Sequence, residues 1–426
     1  MTLINKLNLL NNASETNKNN RFVLALFIIT ILFQDTGLKF IWSLESISRI
    51  VNILVLVLLL VYAIKVISTY NYPKKIWYYY LFPGILIFAG MFLNISLNVL
   101  STLKLVSFFG LTIPWLTYLI VPVLIKKDVI NTSTLWRYFY YFLLWANLLG
   151  ILDYVLMSYG LSNLRILETP YGVFLGGNFS LLHMIEDGTP HYRYYSCFTE
   201  PGSLAMMLLP AITYAFFNKK YVGLIIFLTA FFLTDSLGGI IGLIMLAAII
   251  SLVLFNRRKK YLLYTILAFF TTLLLLWINL GDSIIKQYEE KGNSATIREE
   301  NFTKTITNLP VLIIDHPLGL KLETETGYFE KNKIYVGSNF SPGTFMQYGG
   351  ILALIGYLAC LLVSLIISLT SIARNNLSME GKVVFSSIIV LFPFIFQRTT
   401  IWESSLFALL FAPSILRVLG KNPGLR

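Results

Sequence analysis

The sequence predicts an all-α fold: a polytopic integral membrane protein with about twelve transmembrane helices and two long extracytoplasmic loops. Three observations lead there. The 426 residues are 56% hydrophobic and only 13% charged, with a mean hydropathy of +0.72, which is more apolar surface than a soluble domain can bury. The apolar residues gather into runs long enough to cross a hydrocarbon core. The connections between those runs alternate between basic and non-basic, as the positive-inside rule requires. The formal charge of +12 is thereby accounted for by topology. No basic run interleaves with stacking aromatics on a soluble domain, so no nucleic-acid partner is expected.

In chain order, residues 1–20 are polar and Asn-rich, with no small-residue cleavage site after the first apolar run; they read as a cytoplasmic tail rather than a signal peptide. Residues 21–159 hold the first five spans, at about 22–42, 47–67, 76–98, 104–125 and 135–159. A first long outer loop occupies 160–197. Spans six to nine lie within 198–280, at about 198–217, 221–234, 238–255 and 261–280. As one helix, 221–255 would be roughly 50 Å long against a core of about 30 Å, so it must fold back. Thr234-Asp235-Ser236-Leu237-Gly238-Gly239 carries the turn chemistry for that. A second long outer loop covers 281–343. The last three spans lie within 344–418, at about 344–370, 383–397 and 401–418, the final two divided at Gln397-Arg398-Thr399-Thr400. Residues 419–426 form a second cytoplasmic tail.

Orientation follows from Lys74-Lys75, Lys126-Lys127, Lys219-Lys220, Arg257-Arg258-Lys259-Lys260, and Arg374 with Lys382, which fall in alternate connections and mark the inner side. Both long polar segments then face outward. No internal repeat of the inverted-repeat transporter kind is visible. Cys197 sits at a helix mouth and Cys360 inside an apolar run, so no disulfide is expected.

The candidate chemistry collects on the outer side. Arg193-Tyr-Tyr-Ser-Cys-Phe-Thr-Glu200-Pro201 runs straight into the sixth span, and ionisable groups at a membrane helix are costly unless something outside needs them. The residues before it mix charges with Val173, Phe174, Leu175, Phe179, Leu181 and Leu182, as a partly amphipathic element on a membrane surface would. In the second loop, Thr296 and Glu299 have capping-box spacing, predicting a short helix over about 297–308 with Arg298 in its first turn. A cation there opposes the helix dipole unless an anion is also bound. Arg193, Arg298 and Arg398 are therefore candidate cations for a lipid diphosphate, since a guanidinium pairs bidentately with phosphate oxygens. Glu200 and His316 are the candidate bases. His183, His191 and His316 lack zinc-like spacing, and no metal or cofactor is expected.

Each residue also has a structural reading. Arg193 can anchor at the interface beside Tyr192, Tyr194 and Tyr195. Glu200 can serve the dipole of the helix it opens, with Pro201 near N1. Arg298 can pair with Glu299 or Glu300 on a solvated face. His316 can orient its Pro-Leu-Gly turn, and Arg398 can mark the interface. Asp153, inside the fifth span, would cost about 2.5–3.5 kcal/mol facing lipid at a helix centre, so it faces the bundle and pairs with substrate or protein.

These residues together resemble the bacterial O-antigen polymerase and O-antigen ligase superfamily. The resemblance rests on about twelve spans with two extended outer loops, the Arg193 to Glu200-Pro201 pattern, and Arg298 followed by His316-Pro317-Leu318-Gly319. It implies transfer of a glycan from undecaprenyl diphosphate to an acceptor sugar, without metal or nucleotide, by a multi-pass enzyme of the bacterial cytoplasmic membrane. It also implies that outer-loop arginines hold the diphosphate, and that a chain-length regulator and membrane lipids are partners beside the lipid-linked oligosaccharide. Ser338-Asn339 stands where many ligases carry His-Asn, which makes Asn339 a further candidate and weighs toward a polymerase. Thr234-Asp235-Ser236-Leu237-Gly238 stands where many relatives carry Ser-Arg-Gly, so no arginine is expected from that hairpin. The alternatives are a ligase acting on lipid A core and a flippase or transporter of lipid-linked oligosaccharide. A transporter should set charges along a central path rather than on one face.

Overall fold

The computed structural model describes residues 36–44, 82–97, 131–161, 165–169, 172–184, 190–191, 194–198, 200–255, 292–320, 341–373, 377–397 and 409–410, with scattered single positions elsewhere. Among these, helices dominate: α1 (Leu38–Ile41), α2 (Phe82–Leu97), α3 (Thr132–Ser158), α4 (Pro201–Phe217), α5 (Tyr221–Leu233), α6 (Leu237–Phe255), α7 (Gly292–Asp315), α8 (Ser341–Ala373) and α9 (Met379–Gln397). Two of them, α3 and α8, are long and apolar enough to cross a membrane; α2, α4 and α5 are apolar but shorter.

Local chemistry sets the helix ends. Asn131 precedes α3 in an extended conformation, and its side-chain oxygen accepts the N–H groups of Ser133 (3.0 Å) and Thr134 (3.3 Å). Glu200 occupies the N-cap of α4 with Pro201 at the first helical position, where a missing N–H costs nothing. The apolar stretch 221–255 does fold back: α5 stops at Leu233, Asp235 takes a positive φ of 46°, and Ser236 Oγ accepts the Gly239 N–H (3.2 Å) to start α6.

Two differences from the sequence reading stand out. Four described segments of the first outer loop form an antiparallel sheet ordered β1 (Arg165–Thr169), β2 (Gly172–Gly176), β3 (Leu181–Met184), β4 (Pro190–His191), so the fold is not purely α. Leu167 pairs with Phe174, and Phe174 is buried edge-on against Tyr195 at 6.1 Å, while Val173 and Ile166 are exposed. The contrast of buried Phe174 with exposed Val173 is that of neighbouring residues on opposite faces of a strand. The second difference is that α7 begins at Gly292 instead of near 297, which moves Arg298 beyond the first turn. The dipole argument for an anion at Arg298 loses its force there.

The main core gathers α3, α4, α5, α6, α8 and α9, with α4 at its centre: every residue from Leu204 to Thr213 is buried. On α3 the opposite face, Tyr141, Trp145, Leu148, Leu152 and Val155, is exposed apolar surface at helical spacing. A satellite core of Leu312, Leu320, Met346 and Leu354 ties the end of α7 to α8. Among the described helices, the closest pairing is α2 on α8. A Cβ at Gly90 would overlap the Gly349 carbonyl oxygen, and one at Gly356 would lie 2.5 Å from the Pro83 carbonyl oxygen. Small residues let these two backbones touch.

Candidate functional site

Two polar constructions stand out, each built by long-range hydrogen bonds onto a helix. The first joins α3 to the sheet and to the segment leading into Glu200. The Asp153 carboxylate, buried in α3, accepts the backbone N–H groups of Phe179 (2.8 Å) and Ser180 (2.9 Å) through Oδ2. The turn between β2 and β3 closes over it through Gly177 N–H to Ser180 O (2.9 Å), and a side chain at Gly177 would run into the carboxylate. The partners of Asp153 thus include protein backbone, as a structural anchor requires.

One to two turns earlier on α3, the next anchors take hold. The Tyr194 hydroxyl lies 3.2 Å from the Asn147 carbonyl oxygen and 3.3 Å from its Oδ1, and Ser196 Oγ donates to the Ala146 carbonyl (3.1 Å). The backbone of the same segment is held on other sides as well. Tyr194 N–H donates to Leu233 O (3.1 Å), Leu181 N–H to Ser196 O (3.0 Å), and Gly37 N–H to Cys197 O. Ser196 has a positive φ of 50°, which turns the chain toward α4. The result presents Glu200 at the exposed mouth of α4; its side chain does not cap the helix it begins.

Burial pushes the Tyr194 phenol far above its ordinary range and the Cys197 thiol up to about 12. The thiolate is the reactive form, so raising the pKa empties it at neutral pH. At pH 8, Cys197 of the folded protein is expected to react with a small maleimide about 10³-fold more slowly than an ordinary thiol, on thiolate fraction alone. Its rate should keep climbing with pH toward 12, where an ordinary thiol levels off near 9. Peptide-mapped labelling across pH 7–10 checks this, and a rate that saturates near pH 9 would show the thiol open to water. An open apolar crevice of about 330 Å³ borders the same place, running along α3 from Tyr138 and Trp145 to Phe179 and Cys197.

The second construction surrounds His316. Its N–H continues α7 by donating to Leu312 O (3.0 Å), and its carbonyl accepts Gly319 N–H (2.9 Å), closing a turn over Pro317-Leu318. That turn is inserted into a break in α8. Gly350 has φ 63° and ψ −160°, and Ile351 N–H, which an unbroken helix would give to Gln347 O, goes to Pro317 O instead (2.9 Å). Gln347 O accepts Leu320 N–H (2.8 Å). Asn94, buried on α2, completes the joint: its amide nitrogen lies 2.9 Å from Tyr348 O and 3.3 Å from both Gln347 O and Leu320 O. Phe345 and Tyr357 stack across the break at 4.2 Å.

Glu200 and His316 therefore sit on separate constructions, connected through the packing of α4 on α9, α9 on α8, and α8 on α7. Arg298 lies on α7. Arg193, Arg398 and Asn339 lie outside the described residues. Asn94 and Asn147 went unnoticed in the sequence, and Tyr194 was read there only as an interfacial neighbour of Arg193; a lone Asn within an apolar run was the available signal for the first two, because an unsatisfied amide in hydrocarbon is expensive. Among the described residues no group of three or more His, Cys, Asp or Glu side chains is placed to hold a metal. In comparisons with known proteins, no family model matches the chain, and neither does any curated protein.

Proposed function

We propose that this chain is a metal-independent glycosyltransferase of the bacterial cytoplasmic membrane, a polysaccharide polymerase that lengthens a glycan on its undecaprenyl diphosphate carrier. In this reading about twelve helices span the bilayer, and the sheet and the His316 turn face outward. A sugar hydroxyl of the incoming lipid-linked unit attacks the anomeric carbon of the growing chain; the hydroxyl proton passes to Glu200 or His316, and the lipid diphosphate leaves with the bonding electron pair. Arg193, Arg298 and Arg398 stabilise the charge that gathers on the leaving group.

The observation that carries the reading is the geometry before α4: an exposed carboxylate at a helix mouth, delivered by a segment pinned on several sides, with an apolar crevice ending at Cys197 just before it. A prenyl chain lying in that crevice would reach Cys197, three residues before Glu200 in the chain. The role of Asp153 also favours surface chemistry over passage. The acidic residue placed inside a span holds the 177–180 turn, a use that needs no path across the bundle.

The test is reconstitution of the purified protein in lipid with undecaprenyl-diphosphate repeat units, without nucleotide or metal, and separation of products by size. A ladder of lengthening glycans is expected, slowed about tenfold or more in Glu200→Ala and in Arg298→Ala. No ladder with cognate substrate, together with movement of the lipid-linked unit between leaflets, would replace the enzyme with a transporter.

A further inference from the structure

The joint between the His316 turn and α8 contains more hydrogen bonding than helix packing requires. α2 is already held on α8 by the contact of Gly90 with Gly349 and of Gly356 with Pro83 and Ile87, which needs no polar group. Asn94 sits one turn further along α2, and its amide is surrounded by carbonyl oxygens from both sides of the joint: Leu320 from the turn, Gln347 and Tyr348 from the helix break. An amide NH₂ has two hydrogens, so these three oxygens share them. Gly319 shows how closely the parts fit. Its φ is +96°, and a Cβ there would lie 2.6 Å from both Asn94 Nδ2 and Gln347 O.

We infer that Asn94 is a positioning residue for His316: by bridging the turn to the Gly350 break, it fixes where the imidazole is presented to the headgroup end of a lipid-linked substrate. The inference rests on the proposed function for the substrate, but not for the bridge itself. Asn94 touches no reacting atom in this scheme. It acts through Leu320 and the broken helix, and a backbone held at two points fixes the place from which the half-buried His316 side chain projects. Irregular backbone inside a membrane protein persists only where its polar groups are satisfied by protein, and here Asn94 satisfies them while the turn is docked.

The experiment compares the full-length protein in lipid nanodiscs with Asn94→Leu, which is nearly isosteric and has no donor. Asn94→Ser, which keeps a hydroxyl and adds no bulk, carries the comparison where the leucine variant does not accumulate. Amide exchange is expected to speed up about tenfold at Leu320 and Ile351 while α3 is unchanged, as loss of one or two hydrogen bonds predicts. His316 should react faster with diethylpyrocarbonate, read by peptide mapping, and kcat for chain lengthening should fall about tenfold with KM within about twofold. Unchanged exchange and unchanged His316 reactivity would overturn the inference. So would equal acceleration through α2, α3 and α8, which marks a general fold lesion, or a faster-exchanging turn with kcat intact. If the wild-type protein lengthens no glycan, the proposed function falls, and the exchange and modification arms still decide the role of Asn94.

Discussion

Gly350→Ala is expected to destabilise the protein by about 4 kcal/mol or more, because three costs coincide at one atom. The backbone at φ 63° and ψ −160° lies in a region open essentially to glycine, which costs a substituted residue about 1–3 kcal/mol. The added methyl would overlap the Pro317 carbonyl oxygen and lie within 2.7 Å of Leu318 backbone atoms, neither of which can rotate away. Expelling the turn to relieve that contact gives up the Ile351 to Pro317 and Leu320 to Gln347 hydrogen bonds, at about 1 kcal/mol each. Gly160→Ala is the matched control. Its φ is +68° and nothing lies within 4 Å of its Cβ, so only conformational strain, about 1 kcal/mol, is expected there. Heating both variants in detergent and measuring the surviving monodisperse fraction separates the two. Equal tolerance of both would mean that the turn does not occupy the break.

Asp153→Leu is expected to cost about 2–5 kcal/mol, since it strands the buried N–H groups of Phe179 and Ser180 at about 1–3 kcal/mol each. Asp153→Asn keeps an acceptor oxygen in the same place and should cost distinctly less. The loss should be local before it is global. Proteolysis and amide exchange are expected to open at 177–180 first, because Asp153 ties that turn directly to α3, while Tyr194 and Ser196 still hold the following segment to Asn147 and Ala146. A leucine variant with parental exchange at Phe179 and Ser180 would show that the carboxylate does not hold the turn. If the proposed glycan-lengthening activity depends on the sheet that packs beside the segment leading to Glu200, it should fall less in Asp153→Asn than in Asp153→Leu.

Several features were legible in the sequence because they depend on neighbours in the chain. Apolar runs announce helices; Glu200-Pro201 announces the start of one; and Thr234 to Gly239 announces a reversal, since a single helix over that stretch would outrun the bilayer. The sheet was misread for a local reason too: strands of four or five residues interrupted by glycine show too little alternation to separate a period of two from one of 3.6. The capping-box spacing at Thr296 and Glu299 fell inside a helix that begins earlier, because a short motif does not exclude helix on its N-terminal side.

What the sequence by itself determined is the class: a mainly helical chain with more apolar surface than water can accommodate, its polar residues confined to particular segments. Only the tertiary structure decided what the buried polar residues are for. Asp153 finds its partners 26 and 27 positions away, Tyr194 reaches Asn147 across 47, and Asn94 reaches Leu320 and Tyr348 across 226 and 254. Nothing local marks Gly350 as a break either, since a Gly-Gly pair in an apolar run serves equally well for close helix packing, as its neighbour Gly349 does against Met91. The physical reason is the same in each case. A buried polar group must be satisfied by something, which the sequence can require, but which group satisfies it is set by how the helices come together.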